Sequence, residues 1–158
     1  MSTNFKNMKS VDYIAVHCSA SQAKSNLTAK DIDKMHRKQG WFGIGYHYVI
    51  RRNGLIETGR PMPKMGAHVS GFNDVAVGIC LVGGVDANLK PEDNFTDDQY
   101  ASLAELVMNL KNEYPSAVVQ GHRDFPNVNK ACPCFDVKDW YERLVEGVTI
   151  CPACGHKL

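Results

Sequence analysis

The residues in this sequence best suited to chemistry are two histidines and one cysteine that follow apolar stretches. His17 and His122 each end such a stretch, and Cys132 lies in the Pro- and Asn-containing segment after His122. Strand ends and loops are where sites are usually built. Two neutral imidazoles and one thiolate would suit a catalytic zinc ion, with a fourth position left for water. The alternative is that the histidines are isolated and hydrogen-bonded separately.

Other common catalytic signatures are missing from the sequence. It contains no P-loop, dinucleotide fingerprint, Gly-x-Ser-x-Gly turn or His-Glu-x-x-His helix. The first ten residues have neither the apolar core nor the cleavage site of a secretory signal, so we expect the protein to stay where it is made. In a chain without such a signal, six cysteines favour reduced thiols or metal ligands over a disulfide framework.

The elements that must position these residues include several strands. Residues 11–17 and 117–120 predict the strands that end at His17 and His122. Residues 75–82 lack polar alternation and predict a central strand buried on both faces. A further strand at 46–52 is followed by Asn53-Gly54, which predicts a two-residue hairpin.

Helices alternate with these strands. Thr28 with Asp31, and Thr96 with Gln99, predict capping boxes at the starts of two helices, and residues 136–145 predict a closing helix. The alternation predicts an α/β fold with a single domain, in which a mixed sheet is flanked by helices. We place this domain at 11–146 and assign 147–158 to a tail.

Net charge and hydropathy limit the classes of partner that we expect the protein to bind. Lys and Arg number 18 and Asp and Glu 17, giving a net charge of +1, so we expect no direct binding of nucleic acid. The longest apolar stretches are strand-length, and therefore we expect no insertion into a membrane.

Four segments carry a family resemblance. They are IAVHCSA at 14–20, GYHY at 45–48, GICLVGG at 78–84 and NKACP at 129–133. In residue type and order they resemble the type-2 N-acetylmuramoyl-L-alanine amidases, with similarity from about Val11 to Val145. The resemblance implies an open mixed sheet, and cleavage of the amide between N-acetylmuramic acid and L-alanine in peptidoglycan.

The resemblance also implies roles for individual residues. One zinc ion would be held by His17, His122 and Cys132, and the catalytic tyrosine and lysine would be Tyr46 and Lys130. Lys130 would place a cation beside the oxyanion formed by attack on the amide. Tyr46 would supply a hydroxyl donor or relay, and the general base stays open between these two residues.

Other residues near these segments have less specific interpretations. His68 follows a Pro-rich segment and either lines a substrate cleft or is a simple loop histidine. Strand alternation directs Cys18 away from the His17 side and Tyr46 and His47 to opposite faces, and we interpret Cys18 and Cys80 as packing residues.

The tail offers a competing metal site. Cys151, Cys154 and His156 resemble one half of a zinc ribbon, for which Cys132 and Cys134 are the nearby partner pair. Because the upstream pattern supports the catalytic assignment of Cys132, we favour a single catalytic zinc over a second ion in the tail.

Three functions follow from the resemblance. The first is a phage endolysin that accumulates in the host cytoplasm and reaches the wall after a holin opens the inner membrane. The second is a module that binds peptidoglycan without cleaving it, as some peptidoglycan recognition proteins do. The third is inhibition of the phage RNA polymerase, because a related phage endolysin has that additional role.

Overall fold

A five-stranded mixed sheet forms the centre of the computed structural model, which describes residues 5–149. The strands are β1 (Tyr13–Cys18), β2 (Ser21–Gln22), β3 (Tyr48–Ile50), β4 (Ile56–Thr58), β5 (Ala76–Leu81), β6 (Gly84–Val85) and β7 (Val118–Gly121). The sheet order is β4-β3-β5-β1-β7, and β2 pairs with β6 separately. Three helices flank the sheet, which confirms the predicted α/β fold.

Four neighbouring strands are parallel, and their carboxyl ends share one edge of the sheet. β1 pairs in parallel with both β5 and β7, and β5 pairs in parallel with β3. All six residues of β5 are buried, as its unbroken apolar sequence predicts. His17 lies near the end of β1, opposite Cys80, and His122 follows β7 directly. The topology therefore brings both histidines to the same edge.

The helices begin where their capping residues predict. α1 (Ala29–Lys38) is capped by Thr28 with Asp31, and α2 (Asp97–Glu113) by Thr96 with Gln99. Each cap side chain accepts a hydrogen bond from the backbone of the third helical residue, and that residue's side chain accepts one in return. The closing helix, α3, spans Val137–Thr149. No helix within residues 5–149 is long and apolar enough to span a bilayer.

Helices pack on both faces of the sheet. On one face, α2 contributes Leu103 and Leu106 and α3 contributes Val137 to a cluster that includes Val16 and Ile79. On the other face, Ile32 of α1 packs with Val49, Cys80 and Val82. Alternation along β5 directs Ile79 to the α2 face and Cys80 to the α1 face. His17, paired with Cys80, accordingly lies on the α1 side.

The predicted hairpin is present, but its loop differs from the two-residue prediction. β3 and β4 are antiparallel, with Ile50 opposite Ile56. The Gly54 N–H donates to the Arg51 carbonyl, and only Gly54 has a positive φ, of 87°. A two-residue turn of the type that Asn-Gly favours needs positive φ at both positions. Here Asn53 instead accepts a hydrogen bond from the Leu55 N–H, which fixes a longer loop.

The C-terminal tail falls largely beyond the described residues. α3 continues to Thr149, the last described position. Cys151, Cys154 and His156 of the competing tail site lie outside the described residues, so the structure leaves that alternative untested.

Candidate metal centre and cleft

The structure brings together three metal-binding side chains that lie far apart in the sequence. His17, His122 and Cys132 each offer a ligand atom, and these atoms lie within 4.8 Å of one another. Within residues 5–149 this is the one His, Cys, Asp or Glu group with that geometry. His17 is buried, whereas the other two side chains are half-buried, so the cluster reaches the surface on one side.

The environment keeps both histidine rings neutral. Burial lowers the pKa of His17 well below its usual value, and the nearby His68, His122 and Lys130 lower it further. The pKa of His122 is also lowered, mainly by burial and then by Lys130. A neutral imidazole presents a nitrogen lone pair, which is the form that binds metals. The two rings lie 4.4 Å apart between their centres.

Cys132 is held by the end of β1. Its Sγ accepts a hydrogen bond from the Cys18 N–H at 3.2 Å. The Cys18 thiol is also hydrogen-bonded to Cys132, and this contact, together with burial, raises the pKa of Cys18. Cys18 is therefore buried as predicted, but it also contacts Cys132, which alternation alone did not indicate. These contacts hold the sulfur of Cys132 beside the two imidazoles.

Tyr46 lies against the cluster. Its ring centre is 5.1 Å from that of His17 and 5.5 Å from that of His36. Burial raises the pKa of Tyr46 well above its usual value, and the thiols of Cys80, Cys132 and Cys18 raise it further. The hydroxyl consequently remains protonated near neutral pH and can donate a hydrogen bond.

His47 points elsewhere, although not through simple strand alternation. Its Nδ1 accepts from the Gly78 N–H, and its Nε2 donates to the Lys64 carbonyl. β3 begins only at Tyr48, and the consecutive carbonyls of Tyr46 and His47 accept hydrogen bonds from Arg60 and Gly59. In a regular ladder, consecutive carbonyls point to opposite sides. This irregular backbone pairing, and not the alternation of a regular strand, sets the directions of the Tyr46 and His47 side chains.

A cleft of about 430 Å³ opens beside the cluster. His122, Lys130, His68 and Trp41 contribute to its walls. Lys130 is exposed, and its charge acts on both His17 and His122. A larger groove of about 620 Å³, between α1 and β4, contains no histidine or cysteine. The smaller cleft is the better candidate site because it contains the groups that can do chemistry.

His68 lines this cleft and contacts the metal cluster directly. A hydrogen bond of 2.9 Å joins its Nδ1 to Nε2 of His17, and a second of 2.9 Å joins its Nε2 to the Ala76 carbonyl. Burial lowers the pKa of His68 to about 3, so the ring is neutral. Both ring nitrogens are thus engaged within the protein.

Two residues around the cleft were not singled out from the sequence. Asn73 accepts hydrogen bonds from the backbone N–H groups of His68 and Val69, and fixes the loop that carries His68. Trp41, 40% exposed, packs at a tilt against His36, with 4.4 Å between the ring centres, and forms part of the cleft wall. A tryptophan directly after a helix-ending glycine was the available signal for Trp41. No local pattern marked Asn73.

Comparison with known proteins places this geometry in a family. Residues 7–135 match the model of the family described as N-acetylmuramoyl-L-alanine amidase. The endolysin of Klebsiella phage KP32 is 44% identical over 139 residues, covering 88% of this chain and 91% of that protein. The endolysin of Escherichia phage T7 is 42% identical, with the same coverage of both proteins.

A solved structure supports the assignment. The N-acetylmuramoyl-L-alanine amidase LysC from Clostridium intestinale URNW superposes with a TM-score of 0.74 and 31% identity, covering 91% of this chain and 89% of that one. Family match, sequence identity and fold agree over most of the described residues. The chain is an amidase that belongs to the N-acetylmuramoyl-L-alanine amidase family.

Proposed function

We propose that the protein is a zinc-dependent phage endolysin. Its reaction is hydrolysis of the amide between the lactyl group of N-acetylmuramic acid and the L-alanine of the peptidoglycan stem. The observation that carries this proposal is the convergence of His17, His122 and Cys132 beside a cleft that also contains Lys130.

The donor set fits zinc. Zinc binds imidazole nitrogen at about 2.0 Å and thiolate at about 2.3 Å, so tetrahedral ligands lie about 3.3–3.6 Å apart. Separations of up to 4.8 Å among the three ligand atoms are therefore within reach of small side-chain adjustments. Three protein ligands leave one position for water, as catalytic zinc sites require.

The residues around the cluster have complementary tasks. Bound zinc would lower the pKa of a coordinated water to about 7 and polarise the amide carbonyl. Lys130 would place its positively charged ammonium group in the cleft, where negative charge develops on the carbonyl oxygen. Tyr46 would donate a hydrogen bond from its protonated hydroxyl, while its ring packs against His17.

The cellular route is a proposal that the similarity to phage endolysins supports. We propose that the protein accumulates in the host cytoplasm and reaches peptidoglycan after a holin permeabilises the inner membrane. The expected outcome is host cell lysis that depends on a co-expressed holin. Equal lysis without a holin would contradict this route.

The first experiment identifies the bond and the metal. Purified peptidoglycan treated with the protein should gain free L-alanine amino termini and no new reducing sugar ends. A chelator should abolish this release, and added zinc should restore it. Binding to peptidoglycan without release would support the non-catalytic module instead, and reducing ends would indicate a glycosidase.

A neighbouring cysteine provides a matched control. Cys132→Ser removes a proposed ligand and should abolish the release of amino termini. Cys134→Ser should retain it, because Cys134 lies outside the ligand cluster and its thiol contacts the Gly84 carbonyl and Cys18 rather than a proposed ligand. Equal loss in both variants would favour the zinc ribbon, which uses both cysteines.

A second role in inhibiting the phage RNA polymerase is proposed from the endolysin resemblance. The test is capture of the cognate polymerase by the full-length protein, followed by transcription assays. The Cys132→Ser variant should still inhibit if the inhibitory surface is separate from the zinc site. Absence of both capture and inhibition would overturn this role.

A further inference from the structure

A chain of three groups leads away from the metal cluster into the sheet. Nε2 of His17 lies 2.9 Å from Nδ1 of His68, and Nε2 of His68 lies 2.9 Å from the Ala76 carbonyl at the start of β5. The proposed zinc ligand His17 is thus connected to backbone of the central strand through a second imidazole.

The Ala76 carbonyl determines which ring nitrogens of His68 and His17 donate hydrogen bonds and which accept them. A carbonyl oxygen can only accept, so Nε2 of His68 must carry the proton. In a neutral ring Nδ1 of His68 is then an acceptor. Nε2 of His17 must therefore donate, and the proton of the neutral His17 ring is on Nε2. The lone pair of His17 is left on Nδ1.

The ring of His68 has little freedom to move. The backbone N–H groups of His68 and Val69 both donate to Oδ1 of Asn73 at 2.8 Å. Gly78 lies beneath the ring, and a Cβ at that position would be only 2.8 Å from three ring atoms of His68. A side chain at position 78 would thus displace the ring. The site is built to hold His68 in this orientation.

We propose that His68 is a positioning residue that fixes the tautomer of His17 and directs its Nδ1 to the metal. This inference rests on the proposed zinc site and deepens it. Hydrogen bonds to ligand imidazoles fix ring orientation and raise ligand basicity, and their loss typically weakens metal binding by about 10–100-fold. His68 acts through His17 and uses neither ring nitrogen for substrate.

Zinc affinity measured without peptidoglycan tests the proposal. The metal-free full-length protein is titrated with zinc in competition with a chromogenic chelator. His68→Leu, which removes the acceptor, should weaken zinc binding by about 10–100-fold. His68→Asn should retain most of the affinity, because its side-chain carbonyl can occupy the place of Nδ1. Rescue by Asn separates an acceptor role from simple packing.

His47 provides the matched control. It is a buried histidine with two hydrogen bonds to backbone, and its ring centre is 5.8 Å from that of His68, but it has no hydrogen bond to a proposed ligand. His47→Leu should lower thermal stability while its folded form retains wild-type zinc affinity. Far-ultraviolet circular dichroism establishes that each variant is folded before titration.

Nuclear magnetic resonance of the metal-free protein with ¹⁵N-labelled histidine provides a second readout. His17 should carry its proton on Nε2 in the wild type, and His68→Leu should lose that strict preference. A proton on Nδ1 of His17, or equal zinc affinity of wild type and His68→Leu, would overturn this inference alone. Failure of the wild type to bind zinc would overturn the proposed function as well.

Discussion

Lys130 combines an exposed position with proximity to the buried ring of His17 and the half-buried ring of His122. It lines the cleft, and its charge lowers the pKa values of His17 and His122. Lys130→Ala should reduce kcat/KM by about 10²–10³-fold, because a cation is lost where the oxyanion forms. Zinc affinity should not fall, since Lys130 is not a ligand.

The control for Lys130 is Lys138→Ala, which removes an exposed lysine from α3. Its kcat/KM, measured by release of free amino termini, should equal that of the wild type. Activity of Lys130→Ala within a factor of two of the wild type would contradict the role assigned to this lysine.

A substitution at Tyr46 can test the hydroxyl group alone. Tyr46→Phe keeps the ring against His17 and His36 and removes only the hydroxyl. We expect kcat to fall by about 10²-fold or more, with KM and zinc affinity unchanged, because the donated hydrogen bond matters in the transition state. Tyr48→Phe, two residues further along the chain, is the control and should retain activity. A rise in KM alone would show that Tyr46 acts in binding.

At the residue scale, the sequence indicated which side chains could do chemistry but not how they connect. His17, His122 and Cys132 could be named because their types and positions after strands are local properties. The hydrogen bond between His17 and His68 spans 51 residues and depends on β1 and β5 being neighbours. The contact of Cys18 with Cys132 spans 114 residues and has the same dependence on tertiary structure.

At the element scale, one buried amide joins α2 to the sheet. Gln99 is fully buried; its Nε2 donates to the carbonyls of Ile50 and Val82, and its Oε1 accepts from Arg52 and the Thr96 N–H. Gln99→Leu should lower the free energy of unfolding by about 2–4 kcal/mol, because buried polar partners lose their hydrogen bonds.

Urea unfolding of the zinc-loaded protein measures this change. Asn112→Ala, an exposed substitution on the same helix, should alter the free energy of unfolding by no more than about 0.5 kcal/mol. If Gln99→Leu is as stable as the wild type, the amide is not what joins α2 to the ends of β3 and β5.

The helices could be predicted from the sequence more fully than the strand ends. Thr28 and Thr96 lie three residues before their reciprocal partners, so each cap is a local pattern. β2 and β6 have only two residues each and exist through their pairing with one another, which no local periodicity reveals. The Asn53-Gly54 pair located the hairpin correctly, but not the length of its loop.

At the scale of the whole molecule, buried histidines make the metal-free fold sensitive to acid. The pKa values of His17, His47 and His68 are all lowered, chiefly by burial, that of His68 to about 3. Below pH 6.5 the unfolded chain binds protons that the folded chain does not. Stability should therefore change little between pH 7.5 and 7 and fall as pH decreases below 7, by up to about 1.4 kcal/mol per pH unit for each histidine.

Urea unfolding of the metal-free protein between pH 7.5 and 5 tests this dependence. The carboxylates with lowered pKa values, Asp31 and Asp33, begin to contribute only near about pH 4, so this window isolates the histidines. In His68→Leu, the difference in bound protons between the unfolded and folded states should be smaller by about one, so its free energy of unfolding should fall less steeply with decreasing pH. A free energy of unfolding that increases as the pH is lowered from 7 to 5 would contradict the buried, neutral state of these rings.

The proposed zinc site requires two imidazoles and one thiolate from distant parts of the chain to share one ion. X-ray absorption spectroscopy of the protein loaded with one equivalent of zinc tests it most directly. We expect one sulfur neighbour at about 2.3 Å and three nitrogen or oxygen neighbours at about 2.0–2.1 Å. Three or four sulfur neighbours would contradict it and indicate a cysteine-rich structural site instead.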